Sequence, residues 1–297
     1  MSPTDSHFIG VDVGASKVSF CLADGKGQVI KKDSSPTEGP RKLISEVKLF
    51  LNRAERDFPD ARPSGIGIGA VGPLDSGKGI IVNPPNLPGW RNVPLVHLFE
   101  EEFSLPTFLE NDATVGALAE REFGVQKDSL VYLTVSTGIG GGLIDSGHLI
   151  RGRGNAGEVG HMQITPYGPR CECGKRGCWE ALASGTAIAK EGVRSLDLDE
   201  EKAEKVFSLA REGNEEAKKI IEKAACFLGV GISNLIELMD PQAVVLGGGL
   251  TNSWDLIKEK TLSTVKRNSR REVDVKVTSL GDEVVLLGAS LLPRYRA

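Results

Sequence analysis

The chain has 297 residues, 40 % of them hydrophobic and 26 % charged, with a formal net charge of −4. That length suits two ordinary domains or one large one, and the balance is that of a globular protein. The acidic total leaves no electrostatic footprint for nucleic acid, no apolar run nears the roughly 20 residues of a bilayer span, and MSPTDSHF lacks the pattern of a secretory signal, so a cytoplasmic location is expected.

The first elements are short strands. FIGVDV (8–13) reads as a buried strand, followed by a glycine turn, the strand KVSFCLA, the hairpin turn DGKG and the strand QVIKK. Residues 40–57 carry Leu43, Val47, Phe50, Leu51 and Ala54 at helical spacing. NPPNLPGWRNVPL (83–95) holds four prolines and reads as a stiff surface loop. Its Trp90 either caps a sugar face or plugs the core beneath the loop. The strand PTFLEN then meets a helix over 112–123, for which Asp112 is a good N-cap and whose apolar side carries Val115, Leu118 and Ala119.

At 130–150 the opening layout recurs: LVYLTV as a strand, STGIGGG as a glycine turn, GLI as a strand, DSG as a turn and HLI as a strand. The two copies start about 120 residues apart, too long a period for a solenoid and suited to a duplicated domain. A long helix is expected over 214–239 from Asn214, with a second half apolar on most faces and therefore buried. After it come the strand and glycine run PQAVVLGGGL, an amphipathic helix WDLIKEKTLSTVKR, a strand VDVKVTSL and a closing helix DEVVLLGASLLP. Alternating strands and helices indicate an α/β architecture.

Of five cysteines, Cys21 and Cys226 lie in apolar runs and read as buried small hydrophobes. Cys171, Cys173 and Cys178 join His161 in the spacing H-x9-C-x-C-x4-C. Three thiols and an imidazole satisfy tetrahedral Zn²⁺ with no position left open for catalysis, and in a reducing compartment such a cluster points to metal more than to disulfide or a redox thiol set. Glu158 and Glu180 lie inside the same stretch, three residues before His161 and two after Cys178, while Glu172 is expected to face solvent. If one ring nitrogen of His161 holds the metal, the other is available to a ligand or carboxylate.

Three glycine turns each follow an apolar strand: DVGASK (12–17), STGIGGG (136–142) and LGGGL (246–250). None fits the P-loop or the G-x-G-x-x-G pattern, yet glycine at a strand end lets backbone amides approach phosphate oxygens, so the set points to a nucleotide. Lys17 is either solvated or a partner for phosphate. Asp112, beyond the capping role, is the candidate general base, because phosphoryl transfer needs a carboxylate to take the proton of the attacking hydroxyl.

These residues resemble the ROK family of sugar kinases, its glucokinase-type members in particular, over nearly the whole chain. The motifs are Asp12-Val-Gly14-Ala-Ser16-Lys17, Glu110-Asn111-Asp112-Ala113, Thr137-Gly138-Ile-Gly140-Gly141-Gly142, and Gly157-Glu158-Val-Gly160-His161 followed by CECGKRGCWE. The resemblance implies an actin/hexokinase-type fold of two α/β domains with βββαβα cores around a cleft. The domains would be 1–112 with the closing helix 282–297, and 113–281 with the zinc loop. It implies ATP-dependent phosphorylation of a hexose at O6, glucose first, with Asp112 as base. Asn111, Asp112, Glu158, His161 and Glu180 would bind the sugar, with Asn83 or Asn86 a further contact. Asp12, Gly14, Ser16, Lys17, Thr137, Gly138, Gly140, Gly248 and Gly249 would hold the nucleotide, with Mg²⁺ on its phosphates. A structural Zn²⁺ would sit on His161, Cys171, Cys173 and Cys178, and a dimer or tetramer is expected. Ala15 and Ser16 stand where Gly and Thr are usual, and Thr114 where Asn is common.

An N-acetylmannosamine or N-acetylglucosamine kinase shares the sugar-binding set. A sugar-sensing repressor would add a helix-turn-helix of roughly 60–80 residues before a first strand that here begins near residue 7. A chaperone or filament protein of the actin superfamily gives no reason for the metal knot.

Overall fold

The computed structural model describes residues 6–296. Residues 1–5 of the N-terminal stretch read above, and Ala297 at the end of the expected closing helix, lie outside the described residues. In chain order the elements are β1 (His7–Val13), β2 (Lys17–Asp24), β3 (Val29–Pro36), α1 (Pro40–Asp57), β4 (Pro63–Ala70), the short pair β5 (Leu74–Asp75) and β6 (Ile80–Ile81), α2 (Leu95–Phe103), β7 (Thr107–Asn111) and α3 (Asp112–Glu122). There follow β8 (Leu130–Val135), β9 (Ile139–Asp145), β10 (His148–Leu149), α4 (Glu180–Ala183), α5 (Gly185–Leu196), α6 (Ala203–Arg211), α7 (Glu215–Met239), β11 (Ala243–Gly247), α8 (Trp254–Asn268), β12 (Asp274–Val277) and α9 (Val284–Arg296).

The chain divides into two compact units. The first runs to Gly124 and takes in Arg151–Asn155 and the chain from Leu280; the second holds Val125–Ile150 and Ala156–Ser279. Each contains a five-stranded sheet, in the order β3-β2-β1-β4-β7 in the first and β10-β9-β8-β11-β12 in the second. In both, three antiparallel strands continue into two parallel ones. The α/β fold with a duplicated core is thus present, and the repeat of strand, turn, strand, turn, strand is its visible half.

The boundary read from the sequence, after Asp112, differs from this division. The helix that opens there, α3, packs beneath α9: a Cβ added at Gly288 would lie 1.8 Å from the carbonyl oxygen of Val115. Backbone contact that close ties α3 to the first unit.

In the first unit α1 buries Leu43, Val47, Phe50 and Ala54 against the sheet, with the Phe20 and Phe50 rings edge-on at 5.1 Å. Trp90 is 1 % exposed within this core, so it plugs the core and caps no sugar face. The interior strand β4, PSGIGIGA, is glycine-rich because α9 lies directly on it. A Cβ at Gly67 would stand 2.0 Å from the carbonyl oxygen of Ala289. Gly67→Ala should therefore destabilise the chain by about 1–3 kcal/mol, the usual cost of overpacking, read from the denaturant midpoint at unchanged slope.

In the second unit α7 crosses a core built from both its own apolar face and the sheet. Asn214 caps it, accepting the amide N–H of Ala217 at 3.0 Å. Trp179 is fully buried and packs on Gly231 of α7, where an added Cβ would fall 2.0 Å from the indole. Among the described residues no helix is long and apolar enough to cross a membrane.

Candidate active site

In the first unit the site residues gather at the ends of β1 and β7. Asp12 is the penultimate residue of β1, and the turn after it closes with the Gly14 amide donating to the Lys17 carbonyl at 3.1 Å. Thr37 buttresses that turn, its hydroxyl donating to the Gly14 carbonyl at 2.8 Å. Ser16 and Lys17 are exposed. At the end of β7 the N-cap of α3 is Asn111, whose side-chain oxygen accepts the Ala113 amide at 3.0 Å. The sequence reading gave that role to Asp112, which instead is the first helical residue; its Oδ1 also reaches the Ala113 amide, at 2.8 Å. With Asn111 supplying the cap, a carboxylate at 112 is not required to start the helix.

Asp12 and Asp112 lie close enough to feel one another. The Asp12 carboxyl is pushed up to about 7, first by burial and then by the Asp112 charge, with Lys17 pulling the other way. Two carboxylates held this way suit a divalent cation arriving with nucleotide phosphates. The folded chain keeps the Asp12 proton to about pH 7, whereas the unfolded chain releases it near 3.8. The stability this group contributes is thus complete below that lower value and is lost as pH rises through the upper one. Asp12→Asn should remove the loss. Its unfolding free energy should gain on wild type as pH rises from about 4 to 7, by at most ~1.4 kcal/mol per pH unit, in denaturant titrations without nucleotide.

Just before Asn111, Glu110 is 2 % exposed and its Oε1 accepts the Nε–H of Arg151 at 2.8 Å. The pair spans 41 residues, and no motif or spacing signals it. Asn83 and Asn86 are both exposed on the proline-rich loop.

In the second unit the metal-binding spacing becomes a cluster. One donor atom from each of His161, Cys171, Cys173 and Cys178 lies within 4.8 Å of all the others. Cys171 Sγ is 3.6 Å from His161 Nδ1, and Cys173 Sγ is 3.6 Å from Cys178 Sγ. Tetrahedral Zn²⁺ with bonds of about 2.1–2.3 Å needs edges of about 3.5–3.8 Å, which the Cys171–His161 and Cys173–Cys178 edges match, and three thiols with an imidazole are a donor set suited to that ion. Burial pushes Cys178 up to about 12, helped by the other two thiols, and raises Cys171. The Lys175 amide lowers Cys173. Thiols so placed ionise together only when a cation compensates them.

The fold of the knot is set by its backbone. The Cys171 amide donates to the Lys175 carbonyl at 2.8 Å, and the Lys175 ammonium to the His161 carbonyl at 2.8 Å. Glu158 caps a single 3₁₀ turn, Val159–His161, which leaves His161 Nε2 3.8 Å from Glu158 Oε2 while Nδ1 faces Cys171 Sγ. Glu172 is exposed, as expected.

Two of the three glycine turns are in this unit, and they adjoin. Only Ser136–Gly138 is a turn; Ile139–Asp145 is strand β9, with Gly140 opposite Thr134. Glycine serves there because Gly157 crosses the strand so closely that a Cβ on it would lie 2.1 Å from the Gly141 carbonyl oxygen. Gly248, at φ +88°, turns the end of β11 against the Val135 backbone, and a Cβ at Gly249 would be 3.6 Å from the Ser136 hydroxyl. Glu180 opens α4, and its Oε2 accepts the Ile139 amide at 2.9 Å. That contact, and the amides of Gly185 and Thr186 donating to the Ser136 and Thr137 carbonyls at 2.7 and 3.3 Å, carry no sequence signal.

The sequence profile described as the ROK family matches residues 8–295. A glucokinase from Thermotoga maritima is 33 % identical, over 97 % of this chain and 97 % of its own length. An N-acetylmannosamine kinase from Escherichia fergusonii is 32 % identical, over 96 % and 97 %. A xylose repressor from Bacillus spizizenii is 33 % identical, over 96 % of this chain and 76 % of its own. Among solved structures, a ROK hexokinase from Thermus thermophilus superposes with a TM-score of 0.87 at 35 % identity, covering 98 % of this chain and 100 % of that one. A ROK family glucokinase from Streptomyces griseus, in complex with glucose and AMPPNP, gives 0.79 at 28 % identity, over 97 % and 99 %.

Proposed function

The chain belongs to the ROK family, and on that premise we propose that it is a sugar kinase that transfers the γ-phosphoryl group of ATP to O6 of a hexose, with glucose the first candidate. The observation that carries the proposal is the pairing of Asp112 with Asp12 at a helix start that Asn111 already caps. In the reaction the sugar hydroxyl oxygen attacks the γ-phosphorus, the bond to the ADP oxygen breaks, and Asp112 takes the hydroxyl proton. Asn111 orients the helix start that presents Asp112. Lys17 and the amides of the turns at 12–17, 136–138 and 247–250 hold phosphate oxygens. Mg²⁺ bound with the nucleotide would be held beside Asp12 and supplies charge neutralisation on the phosphates. Glu158 and His161 bind sugar hydroxyls; His161, Cys171, Cys173 and Cys178 would hold Zn²⁺, which would fix the imidazole and leave its second ring nitrogen to ligand. A metal held there would shape the site, while the proton transfer belongs to Asp112.

Glucokinases among the relatives support glucose. The N-acetylmannosamine kinase keeps a second reading alive, with an N-acetylhexosamine as substrate. An ADP-release assay over glucose, mannose, fructose, N-acetylmannosamine and N-acetylglucosamine, with ATP and polyphosphate as donors, separates them. Turnover on no sugar with either donor would overturn the kinase reading and favour a regulatory one, since a xylose repressor is among the relatives.

A further inference from the structure

We propose that Glu180 is a positioning residue for the nucleotide, and that the metal knot therefore sets nucleotide affinity as well as sugar affinity. The proposal rests on the kinase reading of the turn at 136–138. Glu180 is held from both sides. Two residues before it Cys178 belongs to the knot, and between them Trp179 is fully buried against α7, its amide donating to the Met162 carbonyl at 2.8 Å. From that fixed base the carboxylate reaches the glycine turn and accepts the Ile139 amide at 2.9 Å.

The same residue is gripped on its other side. A Cβ at Gly160, the residue before His161, would lie 2.2 Å from the Ile139 carbonyl oxygen. Ile139 is thus clasped by Gly160 on its C=O and by Glu180 on its N–H, and both clasps belong to the segment that carries the metal ligands. A Cβ at Gly138 would stand 2.3 Å from Glu180 Oε2, so the carboxylate also occupies the space a side chain at 138 would take. The turn that offers its amides to phosphate is shaped by a side chain two residues from a zinc ligand. Loss of the ion removes the constraint on the Cys178 side of Glu180 and on the His161 side of Gly160, leaving Trp179 alone to hold the base of the carboxylate, so both grips on Ile139 loosen.

This reading separates from a plain sugar-ligand role. A glutamate that touched only sugar would leave nucleotide binding alone. A glutamate that holds the Ile139 amide needs an acceptor oxygen there, and glutamine supplies one.

The test measures binding of Mg²⁺–AMPPNP by calorimetry in the absence of sugar, on the zinc-loaded full chain. Glu180→Ala should raise the Kd about tenfold or more, and Glu180→Gln should stay within about threefold of wild type. Zinc-chelated wild type should resemble Glu180→Ala. A wild-type Kd in Glu180→Ala or in the chelated protein, or a Glu180→Gln as weak as Glu180→Ala, overturns the proposal. Should Glu180→Ala fail to fold, Glu180→Gln and the chelated wild type still decide it. Amide hydrogen exchange over 136–141 gives a readout independent of nucleotide: exchange at Ile139 should quicken in Glu180→Ala and on chelation, and unchanged protection in both overturns the coupling. Failure of the kinase reading shows differently, as wild type that phosphorylates no sugar while its Ile139 exchange still answers to Glu180.

Discussion

Asp112→Asn should lower turnover by about 10²–10⁴-fold while sugar binding, followed by calorimetry, remains within a few-fold of wild type. The size follows from the role: a general base acts only as the proton leaves, so its loss falls on kcat and not on ground-state affinity. Stability should move little, because Asn111 goes on capping α3 and the charge of Asp112 at the helix start is worth about 0.3–1 kcal/mol. A second consequence distinguishes the variant from a merely damaged protein. The Asp112 charge helps to raise the Asp12 carboxyl, so its removal should lower the Asp12 pKa and flatten the loss of stability between about pH 4 and 7. Turnover retained in Asp112→Asn, with the fold intact, would rule out the base assignment. Turnover lost together with sugar binding would instead make Asp112 a ligand first. The measurement is the coupled ADP-release assay on whichever sugar wild type prefers.

What the sequence disclosed and what it hid divide along a physical line. Periodic burial was legible, so α1, α7 and the strand LVYLTV fall where the pattern puts them. The metal spacing was legible because ligands must sit close in a loop regardless of the surrounding fold. Glycine was the ambiguous letter. In β4 and β9 it marks strands crossed by another backbone, at Ala289 and at Gly157, and the sequence suggests turns or nothing at all. The start of α3 slipped by one residue because Asn and Asp both cap well and they are adjacent; only backbone angles separate them. The Arg151–Glu110 pair and the bond from Glu180 to Ile139 were invisible because each joins residues about 40 positions apart through side-chain direction, which no pattern in one sequence encodes.

Removing the metal should have the second large effect. In Cys178→Ser, or after chelation, the sugar Kd should rise by about 10–100-fold, the range seen when the groups that orient a site's ligands are lost. The segment 157–180 should become open to proteolysis while the sheet persists. The division of damage follows from where the stability lies. Most hydrogen bonds within 161–178 join the loop to itself, such as Cys171 to Lys175 and Gln163 to Arg176, as would the ion on its four ligands, while Trp179, Met162 and Ile164 fasten it to the core. Trp179 remains buried against α7 without the metal, and the sheet has its own apolar core, so the unit should not unfold as an isolated zinc finger does. His161 then decides between two accounts of the knot. If zinc fixes its ring, a chelated protein should lose sugar affinity to about the extent of His161→Ala, and the two changes together should cost no more than either alone. If the losses add, the ion and the imidazole act on sugar separately. A chelated protein that binds sugar as wild type does would show that the knot closes the loop and does nothing for the pocket.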